Sequence, residues 1–250
     1  MPTDPEIGST MHAAILSSPC SFTNFSRLVQ FNLSNYLGAL CSIHGVNEEE
    51  LLKAIKEKYP RMDFLNISGP GVGGFCLPKD ALVMHDSLKG NKDLEVNFGD
   101  IVNFPLKQYE LNENIINYNA HQIESRLSPG SKILALGIAF KGEPHTDDTR
   151  DSVGLKMVDY LKEKGFRIEV CDLSVAKDKI ISLGHKSADL DELGTFDAIL
   201  FLNNDRRYKD LVKRCYVKNA IKKEYFIYDP WKIFLKSNKL IIEESVRLSE

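Results

Sequence analysis

The sequence predicts an α/β protein in two parts, a helical first part followed by a parallel sheet covered by helices on both faces. Three observations carry this expectation. Over residues 22–44 the apolar positions Phe25, Leu28, Val29, Leu33, Tyr36, Leu37, Leu40 and Cys41 recur at helical spacing. Beyond Ser128-Pro129-Gly130 the pattern changes to short apolar runs alternating with helical ones. Strands that alternate with helices require right-handed crossovers, and so a parallel sheet.

Taken in order, residues 1–19 are rich in Pro, Ser, Thr and small residues, show no period and read as irregular. The helix over residues 22–44 stops at Gly45; at about six turns of 3.6 residues it is long enough to bury one face against a partner subunit. A second helix starts with Asn47 as cap and Glu50 reaching back to it, and Pro60 ends it. A glycine-rich turn leads through Pro78 into a helix over residues 79–88, and another helix covers residues 109–127. The break at residues 128–130 is the expected domain boundary, separating residues 20–127 from 131–250. Strands follow over residues 133–138, 166–171, 198–202 and 225–228, with a helix over 153–161.

The 250 residues, 43% hydrophobic, suffice for one or two cores. With 32 basic and 35 acidic residues there is no basic excess to track a phosphate backbone, so nucleic acid is not an expected partner. No apolar run approaches the roughly 20 residues of a membrane helix, and no signal peptide is legible. The five cysteines are odd in number, widely spaced and form no CxxC pair, which predicts free thiols in a reducing, cytoplasmic compartment. The six histidines form no HxxxH or HxH pair, so no metal site is expected.

Chemistry concentrates in two stretches. The first is Gly69-Pro70-Gly71-Val72-Gly73-Gly74-Phe75-Cys76-Leu77-Pro78-Lys79-Asp80. Its glycines let backbone N–H groups approach a ligand, a thiol follows at once, and a Lys-Asp pair lies within a turn of it. It follows a helix and a Pro-marked turn, whereas a dinucleotide fingerprint follows a strand and has an acidic residue about 20 positions on. A cradle beside a reactive cysteine is the better reading, with Gly71 and Gly73 among the groups holding a ligand; the alternative is a Gly-Pro loop around a buried, inert cysteine. The second stretch runs from Phe140-Lys141-Gly142-Glu143-Pro144 through Thr146-Asp147-Asp148-Thr149-Arg150-Asp151-Ser152. A loop after a parallel strand is where open α/β sheets bind ligands, and a diphosphate fits between Lys141, Arg150 and the free N–H groups of the next helix. The alternative is a solvated charged loop with Ser152 as a helix cap.

Together, in this order and about sixty residues apart, the two stretches resemble those of the UDP-glucose/GDP-mannose dehydrogenase family, with a GxGxGGxCxxKD-like segment in a central helical domain and an FK…DDxRxS segment in a C-terminal α/β domain. Phe196-Asp197-Ala198 to Asn204 and Tyr228-Asp229-Pro230-Trp231-Lys232-Ile233-Phe234 resemble the last strands of that domain. The resemblance implies a central domain with a long dimerisation helix, then a Rossmann-like UDP-binding domain. It implies NAD-dependent oxidation of the C6 alcohol of a UDP-sugar to a carboxylate, by two hydride transfers through a cysteine thioester, as in polysaccharide biosynthesis. Carried over, the nucleophile falls on Cys76 and its partner carboxylate on Asp80. Asn24 and Lys141 fall on substrate-binding positions; Lys79 and Arg150 fall near the cofactor.

Two positions depart from the family pattern: Cys20 stands where a lysine precedes the helix Asn by four residues, and Tyr36 where a glutamate follows the second Asn, Asn35. The family's N-terminal NAD-binding domain has no counterpart before residue 20. The expectation is therefore the substrate-binding, cysteine-bearing portion of a truncated or split enzyme, homodimeric, inactive alone and completed by a separate NAD-binding polypeptide. The alternative is a non-catalytic nucleotide-sugar-binding or dimer-scaffold protein. A complete enzyme of unrelated chemistry built on Cys76 is disfavoured, because no histidine has the spacing of its base.

Overall fold

The computed structural model describes residues 18–188, 196–217 and 221–234; most of the stretch expected to be irregular at the start lies outside them. Helix α1 spans Pro19–His44, with Pro at its start and Gly45 closing it in the left-handed conformation (φ 67°), its N–H on the carbonyls of Cys41 and Ser42. Its buried side takes in only part of the apolar stripe, with polar residues beside it. Leu28, Asn32, Ser34, Asn35, Gly38 and Cys41 are buried, whereas Phe22, Leu33, Tyr36 and Ile43 are exposed. The buried polar groups are there to be used: Asn32 Nδ2 donates to the Gln108 carbonyl at 2.8 Å, and Asn66 N donates to Ser34 Oγ at 3.1 Å.

Helix α2 (Glu48–Lys56) is capped by Asn47, whose side chain accepts from the N–H groups of Glu49 and Glu50. A 3₁₀ turn, Pro60–Met62, and the glycine loop lead into α3, Cys76–Leu88, which starts three residues earlier than expected. Helix α4 spans Lys92–Glu124, far longer than the helix expected over residues 109–127; it bends at Phe98 (φ −145°, ψ 40°) and continues through Pro105.

The second part holds β1 (Lys132–Leu136), α5 (Val153–Glu163), β2 (Arg167–Cys171), α6 (Lys177–Ser182), β3 (Lys186–Ser187), β4 (Phe196–Phe201), α7 (Tyr208–Val217) and β5 (Ile221–Tyr228). The strands form one sheet in the order β3-β2-β1-β4-β5, and every neighbouring pair is parallel. This is the doubly wound arrangement, whose order reverses between β1 and β4 and so opens a crevice beyond their carboxyl ends. Alternate residues feed two cores. Ile133, Ala135, Ala198 and Leu200 pack with Met157, Val158 and Leu161 of α5 and with Ile116, Ala120 and Ile123 of α4. Leu134, Leu136, Ile199 and Phe201 face Tyr208, Leu211 and Val212 of α7. The end of α4 thus belongs to the sheet's core while its middle belongs to the helical part. Polar ties reinforce the junction: Lys156 Nζ lies 2.8 Å from Glu113 and 2.7 Å from Asp151, and Tyr228 OH donates to Asn119 at 3.0 Å.

Candidate active site

The glycine loop has no secondary structure of its own, and its backbone is held by three elements. Gly69 N donates to Asn35 of α1 at 2.8 Å. Asn112 of α4, fully buried, accepts from Val72 N at 2.8 Å and donates to the Val72 carbonyl at 2.9 Å. Gly74 N donates to the Asp151 carbonyl at 3.0 Å. A Cβ at Gly71 (φ 144°) would lie 2.4 Å from Ile116 Cγ1, and one at Gly74 (φ 92°) 2.7 Å from the Phe140 ring. These two glycines therefore serve close packing against α4 and the loop after β1, a use the cradle reading did not anticipate. The N–H groups of Gly71 and Gly73 have no hydrogen-bond partner among the described residues.

Because α3 starts at Cys76, the thiol stands at a helix N-terminus, exposed, with no side-chain cap from Phe75. The reading of Cys76 as a buried, inert cysteine is excluded by that exposure; among the described cysteines, Cys41 and Cys171 are the buried ones. One turn on, Asp80 is almost fully buried, pairs with Lys79 Nζ at 2.8 Å and accepts from Asn24 Nδ2 at 2.8 Å. The hydrogen bond that Lys79 donates to Asp80 is the main cause that holds the Lys79 ammonium above its usual range. The contacts of Asp80 run to Asn24 and Lys79, not to the thiol. Asn24 Nδ2 also lies 3.7 Å from Cys20 Sγ.

The sheet supplies the opposite wall. Asp172, at the end of β2, accepts from the N–H groups of Ile138 and Ala139 through one oxygen and from Ser174 and Val175 through the other. Asn204, just past β4, accepts from Gly142 N at 2.8 Å and Glu143 N at 3.2 Å. These bonds fix Lys141, whose Nζ sits 5.1 Å from the Phe140 ring with no ion-pair partner among the described residues. Arg150 is different. It grips Asp148 through Nε and Nη2, and this fork holds the Asp148 carboxyl at about 2. Its guanidinium lies 5.5 Å from the Phe75 ring, over which Lys79 Nζ also sits at 5.4 Å. Ser152 does cap α5, accepting from Leu155 N at 3.4 Å, so the cap and the charged loop coexist.

One cavity of about 450 Å³ is lined by both walls, and Asn24, Gly71, Gly73, Cys76, Lys141 and Arg150 all reach it. Lys79 and Asp80 do not line it and act on it through Asn24 and Phe75. Sequence reasoning missed Asn112, Asn203, Asn204 and Trp231. The two adjacent asparagines carry a signal, since they directly follow the apolar run of β4 at the carboxyl edge of the sheet.

Two family models match the chain over most of its length: the central domain of the UDP-glucose/GDP-mannose dehydrogenase family over residues 21–98, and its UDP binding domain over residues 134–236. The chain belongs to the UDP-glucose/GDP-mannose dehydrogenase family. Among curated relatives, the UDP-N-acetyl-D-mannosamine dehydrogenase of Methanococcus vannielii is 30% identical over 153 residues, covering 60% of this chain and 32% of that protein. The enzyme of the same name from Methanocaldococcus jannaschii is 28% identical over 202 residues, covering 80% of this chain and 42% of its own length. The chain thus spans between a third and a half of these dehydrogenases. Its fold is that of the NDP-N-acetyl-D-galactosaminuronic acid dehydrogenase from Methanosarcina mazei, with a TM-score of 0.67 at 24% identity over 83% of this chain and 45% of the other. No helix among the described residues of this family member is long and apolar enough to cross a membrane.

Proposed function

We propose that this chain is the substrate-binding, thiol-bearing portion of an NAD-dependent UDP-sugar 6-dehydrogenase, acting in the cytoplasm. The observation that carries the reading is that one cavity is lined both by the exposed Cys76 thiol at a helix start and by Lys141, a cation without an ion-pair partner among the described residues, at the sheet's switch point. Lys141 and the open N–H groups of Gly71 and Gly73 suit a diphosphate, and Asn24 and Cys76 suit the sugar attached to it. The thiol is suited to add to an aldehyde carbonyl at C6, its proton passing to the carbonyl oxygen to give a thiohemiacetal; oxidation of that adduct to the thioester that water releases as the carboxylate would need NAD held elsewhere, and a thiolate both adds to carbonyls and leaves readily. Asp80 is assigned to holding Asn24 and Lys79 in place, and Arg150 to the mouth of the cavity on the cofactor side.

A bound nicotinamide would supply hydride acceptance, and the sheet described here does not fit the dinucleotide. The turn after β1 reads Gly137-Ile138-Ala139-Phe140-Lys141-Gly142, without the GxGxxG spacing. The acidic residue at the end of β2, where a dinucleotide ribose is held, is Asp172, and both of its oxygens are spent on four backbone N–H groups. NAD is therefore assigned to a domain or polypeptide outside the described residues, and no hydride step is assigned to the residues in this cavity. A homodimer through α1 is part of the same proposal, resting on its exposed Phe22, Leu33, Tyr36 and Ile43.

Calorimetry with UDP and UDP-glucose tests the reading, together with alkylation of Cys76 in their presence. Binding that Lys141→Ala weakens, and protection of Cys76 by UDP-glucose, are expected. No binding at millimolar ligand overturns it. The second reading, a nucleotide-sugar-binding scaffold without turnover, is favoured by Cys20 beside Asn24 in place of the family lysine. An assay for NADH with an NAD-binding domain supplied in trans separates the two.

A further inference from the structure

The chain's only tryptophan lines the cavity. Trp231 follows β5 in a tight turn: the Asp229 carboxylate accepts from Ile233 N at 2.9 Å and Phe234 N at 2.7 Å, and Lys232 N donates to the Asp229 carbonyl at 3.2 Å. Lys232 Nζ then pairs with Glu49 of α2 at 3.1 Å, tying the turn to the helical part. The indole is seated on the glycine loop, since a Cβ at Gly69 would lie 3.2 to 3.4 Å from its Cζ2, Cε2 and Nε1 atoms. A side chain there would press against the ring, so the glycine lets the indole lie close to the loop.

Trp231, Ile67 and Phe31 line the cavity beside Gly69, where the loop begins; Cys76 is where the loop ends. The cations Lys141 and Arg150 lie on the loop after β1. The indole N–H makes no hydrogen bond among the described residues. An aromatic plane with an uncommitted donor, among apolar side chains and in the same cavity as a diphosphate-sized cationic wall, is suited to a flat heteroaromatic ring that bears carbonyl oxygens. We infer that Trp231 receives the nucleobase of the nucleoside diphosphate and thereby selects nucleotide-linked sugars over sugar phosphates. This rests on the proposed function and names a specificity-determining residue within it.

Because the tryptophan is unique, its fluorescence reports on this one position. The full chain is titrated with UDP and with inorganic pyrophosphate, following both emission and calorimetric heat, for the wild type, Trp231→Ala and Trp231→Phe. The expected result is a saturable emission change with UDP and a Kd for UDP weakened about tenfold in Trp231→Ala, in line with the usual loss on removing a stacked aromatic. Pyrophosphate affinity is expected to stay unchanged in both variants, and Trp231→Phe to hold UDP within about threefold of wild type because the plane is retained. Thermal melts establish that the variants are folded. If Trp231→Ala binds UDP as wild type does, or loses UDP and pyrophosphate alike, the inference is overturned while the proposed function stands. If wild type binds neither UDP nor pyrophosphate, the proposed function falls and the inference with it.

Discussion

Replacing Asn112 with leucine, similar in size but unable to hydrogen-bond, tests whether α4 positions the glycine loop. Asn112 is fully buried, and its amide meets both polar groups of Val72 at 2.8 and 2.9 Å. Leucine leaves a buried N–H and a buried C=O without partners, at about 1–3 kcal/mol each, or roughly 2–6 kcal/mol together. Against a typical stability of about 5–15 kcal/mol this is a large loss if the loop stays in place. The loop has an alternative, which is to leave α4 and hang on its remaining ties at Gly69 and Gly74. Urea unfolding reads the first outcome and the alkylation rate of Cys76, in the folded protein, reads the second. One of the two must change: a stability loss of at least about 2 kcal/mol, or a several-fold change in alkylation with weaker UDP binding. Asn112→Asp adds a sign test, because its carboxylate repels the Val72 carbonyl while its protonated form can donate to it, so binding recovers as pH falls. Stability within about 1 kcal/mol of wild type with an unchanged alkylation rate refutes the positioning argument.

Burial pulls the His185 imidazole below its usual range, Asp159 opposing and Lys162 adding; its side chain is nearly inaccessible and its Nδ1 has no hydrogen-bond partner. The unfolded chain binds the proton more readily, so this stability is complete above about pH 6.5 and is lost as pH falls toward the lower folded value. Urea midpoints should fall between about pH 7.5 and 5.5 more in wild type than in His185→Gln, and parallel curves would contradict this. Leu33→Glu should convert a dimer to a folded monomer in ultracentrifugation, since Leu33 is 47% exposed on α1 and a charge there costs the monomer little. Equal sedimentation of variant and wild type would count against α1 as the interface. Arg150→Ala should leave UDP affinity within about twofold, because the guanidinium is committed to Asp148 at the mouth of the cavity, whereas Lys141→Ala should weaken it about tenfold or more. Calorimetry decides between them.

How much of this could be read from the chain differs by element, for physical reasons. Four of the five strands among the described residues were legible because both faces of the sheet are covered, so each is a largely apolar run bounded by turns, whereas the two-residue β3, Lys186–Ser187, has no such pattern. The first turns of α4 were not, because Gly99 and Pro105 read as breakers; packing of Val102 and Pro105 overrides their propensity and the helix bends at Phe98 instead. The buried face of α1 was legible only in part, since periodicity marks apolar residues such as Leu28 and Cys41, while this helix also buries Asn32, Ser34 and Asn35 to satisfy α4 and the loops before α3. Cys76, Lys141 and Arg150 stood out through local motifs, but Asn112 of α4 reaches the loop from 40 residues on in the chain and Trp231 from beyond β5, pairings that no local pattern encodes.

The order 3-2-1-4-5 is the same scaffold on which dinucleotides are held elsewhere, so topology alone does not decide what this crevice binds. The decision lies in a few backbone groups. Asp172 closes on the N–H groups of the turn after β1 and removes both the acidic partner a ribose would need and two of the donors a pyrophosphate would use. Asn204 accepts from the N–H groups of Gly142 and Glu143, next to Lys141, which has no ion-pair partner among the described residues. The donors still open are on the other side of the cavity, at Gly71 and Gly73, on a loop that α1, α4 and the Asp151 carbonyl hold from three directions. Under the proposed function a phosphate ligand would thus sit between the two parts rather than on the sheet alone, and the same loop that would complete its site ends in Cys76. Substrate affinity and thiol position are consequently coupled through one rigid segment, and a change that loosens the loop, at Asn112 or at Asn35, must weaken both together.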